Sequence, residues 1–218
     1  MTLLQVYQTL YQHYGPQSWW PADSPFEVMV GAILTQNTAW NNVEKAITLL
    51  RSNHALSAQS ILNTPTSELA EWIRPSGYFN IKSERLKNFC TWFLEHGGLS
   101  ALNKLDTEAL RHALLAVKGI GPETADDMLL YAFQRPVFVI DAYTRRIFSR
   151  LQMINGEEGY EGLRHYFEQG LADYQDKVSL FNEYHALIVI HAKMHCSKRP
   201  SCESCPLESM CDFQRHTT

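Results

Sequence analysis

The chain has 218 residues, 45% of them hydrophobic and 19% charged, with 19 Lys and Arg against 23 Asp and Glu for a formal net charge of -4. That length supports one sizeable core or two small ones, and no run approaches the roughly 20 apolar residues of a membrane-spanning helix, so none is expected. The global charge does not mark a nucleic-acid binder, nor does it exclude one, because a local basic surface is what meets phosphate.

The N-terminal stretch, Met1 to Gly15, has no basic leader followed by an apolar run, so a cytoplasmic, reducing setting is expected. Leu3, Tyr7, Leu10, Tyr11 and Tyr14 recur at helical spacing until Gly15-Pro16 stops them. Ser24-Pro25-Phe26-Glu27 reads as a capping box opening a second helix. Further helical periodicity covers about 38–50, 66–73, 82–96, 107–118, 122–133, 142–151, 159–172 and 177–193, broken by Gly97-Gly98, Gly119, Pro136 and Asn155-Gly156. Val137 to Ile140 is the one short strand-like run. There is no low-complexity linker or solenoid-length repeat, so the expected architecture is all-α with compact boundaries.

Three segments carry chemistry. In Leu114 to Asp126, two helices meet across Gly119-Ile120-Gly121, with Pro122 opening the second helix. This is a helix-hairpin-helix, whose backbone N–H groups can hold a phosphate; a plain helical turn is the alternative, and Lys118 together with the flanking apolar anchors tilts the reading toward DNA backbone. Twenty residues after Gly121, the apolar run ends in Asp141 at the mouth of a new helix, either as a simple N-cap or as a placed carboxylate. Last come Cys196, Cys202, Cys205 and Cys211, one tight C-x2-C pair with a lone cysteine on each side. That spacing suits a 4Fe-4S cubane held at four corners; a zinc site or two disulfides are the alternatives. Cys90, alone in a helical pattern, is expected in the core.

Hairpin, apolar run ending in Asp141, and cysteine quartet occur in the order of the endonuclease III family of helix-hairpin-helix DNA glycosylases, which the chain resembles over nearly its full length. Leu34-Thr35-Gln36-Asn37-Thr38 also looks like that family's segment after the first helix of its six-helix domain. The cysteine loop departs slightly, with five residues in the first gap where the family commonly has six. The resemblance implies a two-domain helix-hairpin-helix glycosylase fold: a six-helix domain over about 25–136 containing the hairpin at about 107–133, and a second helical domain from 1–24 plus 137–218 carrying a cluster loop at 196–211. DNA would cross the cleft between them, and Asp141 would be the catalytic carboxylate.

Glu123 stands where strand-cutting members have the lysine that forms a Schiff base. A carboxylate cannot form an imine, so the resemblance implies a monofunctional glycosylase with weak or absent lyase activity. Trp19-Trp20-Pro21 ahead of Leu34 to Thr38, with Trp40 and Glu123, is similar to the 3-methyladenine branch of the family, which implies an aromatic pocket for a cationic alkylated base, and the resemblance to endonuclease III implies Gln36 filling the vacated stack. Lys82, Lys118, Gly119, Gly121, Arg145, Lys198 and Arg199 are the candidate contacts to the DNA backbone, with Arg85, Arg146 and Lys193 beside them. His185, His191 and His195 are taken as helix-face or core residues, His195 with a place to tune the cysteine site. The expected partner is double-stranded DNA with a damaged base, acted on by a monomer. Two readings stay open beside this one: an endonuclease III-type enzyme for oxidised pyrimidines or mismatched thymine or uracil, and a noncatalytic iron-sulfur DNA-binding module.

Overall fold

The computed structural model describes residues 1–213. In chain order its helices are α1 (Leu3–Tyr14), α2 (Pro25–Leu34), α3 (Trp40–Ser52), α4 (Ala58–Asn63), α5 (Thr66–Trp72), α6 (Phe79–Glu95), α7 (Gly98–Leu102), α8 (Thr107–Leu115), α9 (Pro122–Asp127), α10 (Ala142–Arg150), α11 (Tyr160–Gly170) and α12 (Lys177–Met194). Among the described residues there is no strand, and no helix is long and apolar enough to cross a membrane. The chain divides into two compact units, one of Ala22–Arg135 and one of Met1–Pro21 with the chain from Pro136 on.

In the first of these units α2 is the axis. Every residue from Glu27 to Leu34 is buried, as expected for a helix apolar on all sides. Ser24 starts it by accepting from the Glu27 N–H, and Pro25 occupies the first position, where its missing N–H costs nothing. Glu27, buried, is neutralised by Arg51 of α3 through two bonds of 2.8 and 2.9 Å. Against α2 pack α3, α6, α9 and the wider π-helical turns Met128–Ala132 that continue α9.

The other unit closes on an aromatic cluster. Phe138 stacks on Phe167 of α11 at 4.5 Å and meets Phe181 and Tyr184 of α12 edge-on at 5.3 and 5.8 Å. Tyr184 reaches α1, donating to the Leu3 carbonyl at 2.7 Å. The strand-like run Val137–Ile140 is buried and extended but pairs with no strand; side chains take its amides instead, the Phe138 N–H donating to Glu168 at 3.1 Å and the Ile140 N–H to Tyr160 at 3.4 Å. Burying an extended segment is tolerable when its polar backbone finds such partners.

Candidate functional site

The hairpin joins α8 to α9. Asp106 caps α8 by accepting from the Ala109 N–H at 2.8 Å, and Ile120, buried, plugs the joint. Gly119 has φ 101, a conformation L side chains rarely adopt, and a Cβ there would lie 2.4 Å from Arg85 Cγ. A buried ion pair, Arg111 Nε to Asp126 Oδ1 at 2.7 Å, bolts the two helices together. Lys118 and Glu123 are exposed, Glu123 in the first turn of α9, where an acid suits the helix dipole.

Gln36 is tied to this hairpin. Its Nε2 donates to the Gly119 carbonyl at 3.1 Å and to Thr124 Oγ1 at 2.9 Å, while its Oε1 accepts from Arg85. Lys82 is a correction to the expected DNA contacts. Its side chain is 1% exposed, and Nζ donates inward to the carbonyls of Leu34 at 2.8 Å and Ser76 at 2.7 Å, so it fastens the end of α2 and does not face phosphate. Burial, and then the charge of Arg85, lower its pKa to about 8.

Asp141 caps α10. Its Oδ1 accepts from the Thr144 N–H at 2.6 Å and from Thr144 Oγ1 at 2.8 Å, and its Oδ2 lies 3.5 Å from His185 Nε2 on α12. The carboxylate is 12% exposed. Burial alone would raise its pKa, but the bond and charge of His185 and the two Thr144 bonds outweigh it and hold the group below the usual 3.8. An ionised, fixed carboxylate on a partly open helix mouth can stabilise developing positive charge or orient a water. No sequence pattern links His185 to Asp141, because the cap of α10 and a residue of α12 are forty-four positions apart and His185 belongs to no recognisable spacing.

Trp19 and Trp20 lie in the irregular segment ahead of α2 with their rings edge-on at 6.0 Å, and Pro21 beside them is exposed. Trp40 opens α3 and donates to Glu44 at 2.8 Å. Arg145 donates to the Glu158 carbonyl at 2.7 Å, and Arg146 to the Cys196 carbonyl at 2.8 Å, so part of their reach goes to holding loops. Lys193, Lys198 and Arg199 are exposed.

Cys196, Cys202, Cys205 and Cys211 line one cavity, walled by Ile147, Leu151, Leu207 and Phe213. None of the four is in a disulfide, and Cys90 is buried apart from them. Among the described residues no three ligating side chains converge as on a single bare ion; the thiols ring the cavity instead. Burial and then repulsion from neighbouring cysteines raise the pKa of Cys202. Arg150 approaches Cys196 Sγ at 3.1 Å and anchors the loop through the carbonyls of Ser197 at 2.7 Å and Lys198 at 3.1 Å. Four soft sulfur donors lining one cavity with Ile147, Leu151 and Leu207, and with Arg150 beside Cys196, fit an iron-sulfur cluster. His191, buried, lies nearer the cavity's sulfur than expected, Nε2 being 3.9 Å from Cys205 Sγ.

The model of the family described as HhH-GPD superfamily base excision DNA repair protein matches residues 30–173. A Methanocaldococcus jannaschii protein classed as a DNA repair glycosylase is 45% identical over 212 residues, 96% of this chain and 95% of its own. Endonuclease III of Haemophilus influenzae is 28% identical over 194 residues, covering 88% of this chain and 85% of its own. The solved structure of H. pylori 3-methyladenine DNA glycosylase bound to 1,N6-ethenoadenine matches with a TM-score of 0.78 at 28% identity, over 88% of this chain and 98% of that one. A trapped endonuclease III–DNA covalent intermediate matches with a TM-score of 0.81 at 19% identity, over 100% and 99%, a likeness of fold alone. The all-α helix-hairpin-helix glycosylase fold expected from the sequence is the one these structures share.

Proposed function

Since the chain belongs to the HhH-GPD superfamily of base excision DNA repair proteins, we propose that it is a monofunctional DNA glycosylase for alkylated bases of the 3-methyladenine type, leaving an abasic site in double-stranded DNA. The observation that carries this reading is Asp141, an anchored carboxylate held ionised at the mouth of α10. As the base leaves, positive charge builds on the deoxyribose, and a fixed anion stabilises it and turns a water toward the sugar. Glu123 supports the hydrolytic mode, because no amine stands in the first turn of α9 to form an imine.

An alkylated purine is cationic and already a good leaving group, so its recognition asks for aromatic faces more than for acids. Trp19, Trp20, Pro21 and Trp40 are assigned to that pocket, each cation–π contact contributing about 0.5–2 kcal/mol. Flipping the nucleotide costs a few kcal/mol, least for a damaged pair, and Gln36 is assigned to the vacated stack. Hairpin residues Lys118, Gly119 and Gly121, with Arg145, Lys198 and Arg199, are assigned to the backbone. Cys196, Cys202, Cys205 and Cys211 are assigned to a 4Fe-4S cluster, which when bound would stiffen the loop bearing Lys198 and Arg199. One chain supplies every part, so the enzyme is taken to act as a monomer on the DNA of the cytoplasm.

The test is a panel of labelled duplexes carrying 3-methyladenine, thymine glycol or uracil, incubated with the wild type and Asp141→Asn. The reading expects excision of the methylated base alone and at least a hundredfold loss in the variant. Excision of thymine glycol with a borohydride-trapped covalent adduct would turn it toward an endonuclease III-type enzyme; binding without excision would leave a noncatalytic module.

A further inference from the structure

We propose that His185 is a positioning residue for Asp141, fixing which carboxylate oxygen faces the reaction. This rests on the assignment of Asp141 as the catalytic carboxylate. The two bonds from Thr144, N–H at 2.6 Å and Oγ1 at 2.8 Å, both fall on Oδ1. That oxygen serves the helix cap, which leaves Oδ2 for chemistry. A carboxylate held through one oxygen can still swing the other, and a swing of an ångström is enough to cost about a hundredfold in rate. His185 stops it: Nε2 stands 3.5 Å from Oδ2, and the ring is 7% exposed.

The distance between these groups is set by packing. Phe138, three residues before Asp141, and Tyr184, immediately before His185, meet edge-on at 5.8 Å in the aromatic cluster. Phe148 of α10 meets Tyr184 as well, at 6.2 Å. The helix that carries the imidazole and the lead-in that carries the carboxylate are therefore fixed to one rigid body, and a deletion of the imidazole has no flexible neighbour to replace it. The geometry faces Nε2 toward Oδ2 at 3.5 Å, longer than a well-formed hydrogen bond, and leaves the lone pairs of that oxygen that do not face His185 for a water or for the sugar.

Single-turnover excision from methylated duplex DNA by the full chain tests this with His185→Phe, which keeps a ring and loses the donor, and His185→Gln, which returns an N–H near the position of Nε2. The phenylalanine variant should excise at least tenfold more slowly with affinity for the duplex within twofold of wild type, and the glutamine variant should recover most of that loss. In an Asp141→Asn background His185→Phe should add nothing further, a non-additivity that a purely structural role would not produce. A second measurement needs no change at position 185: the nitrogen chemical shift of His185 Nε2 should move in Asp141→Asn. A wild-type rate in His185→Phe, or an unmoved Nε2 resonance, overturns the inference while leaving Asp141 in its role. Undiminished excision by Asp141→Asn instead overturns the assignment on which it rests.

Discussion

Gln36 and Gly119 are joined within the unit Ala22–Arg135: the amide of the first donates to the carbonyl of the second at 3.1 Å, so the turn after α2 and the hairpin share one anchor. A side chain that is to fill a gap in the duplex must first release this bond and the one to Thr124 at 2.9 Å. Gln36→Ala is expected to cost about 1 kcal/mol of stability from the lost bonds. It should also slow excision about tenfold, in line with unsupported flipping, while affinity for undamaged duplex stays nearly unchanged. Fluorescence of 2-aminopurine placed beside the lesion, read in stopped flow, separates the flipping step from chemistry; normal flipping in the variant would remove Gln36 from the stack.

Gly119→Ala meets two obstacles that can be taken apart. The positive φ of 101 strains any L side chain, at about 1–3 kcal/mol, and the new methyl would lie 2.4 Å from Arg85 Cγ. Alanine alone should therefore lower stability and weaken binding to any duplex, lesion or not. The double variant Arg85→Ala with Gly119→Ala should recover the steric part and keep the conformational part, so denaturant melts would show the second change partly repairing the first. Equal and additive losses would mean that the hairpin adapts without Arg85.

Lys82 illustrates what the sequence conceals. Its basic side chain two residues past Asn80 reads as a phosphate contact, yet its acceptors are the carbonyls of Leu34 and Ser76, and backbone carbonyls leave no trace in residue identity. His185 reads in the sequence as a helix-face or core residue for a similar reason: the partner that gives it meaning arrives from another helix. The short helices α4, six residues, and α7, five, were also not anticipated, because fewer than two turns give no period to detect. By contrast, α1, α12 and the start of α2 were legible because periodicity, Ser24 and Pro25 act locally. So was the hairpin, where Gly119 supplies the positive φ and Pro122 opens the next helix whatever surrounds them. Asp141 lies between these cases, its role as a cap being local and its ionised state depending on Thr144 and His185.

Lys82→Met should therefore behave as a stability variant. It orphans two buried carbonyls, at about 1–3 kcal/mol each, offset in part by removing a buried cation. The pH dependence has a fixed sign. With the folded pKa lowered from 10.5 to about 8, the cost of burying the charge is present in full below about 8 and is relieved as pH rises toward 10.5, where the folded protein has lost a proton that the unfolded chain still holds. The wild type should gain stability against Lys82→Met across that window, read as a widening difference in melting temperature, while DNA affinity at neutral pH differs little. A variant of normal stability and weakened DNA binding would restore Lys82 to the interface.

The cysteine cavity has a second hydrogen-bond layer. Tyr14 Oη lies 3.0 Å from His191 Nδ1, and His191 Nε2 lies 3.9 Å from Cys205 Sγ. Burial, with His195 and His13 nearby, lowers the His191 pKa to about 4, so its ring is neutral at pH 7; burial likewise keeps Tyr14 protonated and able to donate. If Nδ1 accepts from the phenol, the ring proton sits on Nε2 and points at the sulfur, a donor that favours the more negative state of a thiolate-bound cluster. Protein purified aerobically is expected to be yellow-brown with iron near four per chain. His191→Phe should move the cluster's midpoint potential to more negative values and shorten its lifetime in air, and Tyr14→Phe should do the same more weakly by freeing the tautomer. Voltammetry of DNA-bound protein and absorbance decay read these two effects without reference to excision. Unchanged potentials in both variants would confine the pair to packing, and a colourless zinc protein would remove the cluster itself.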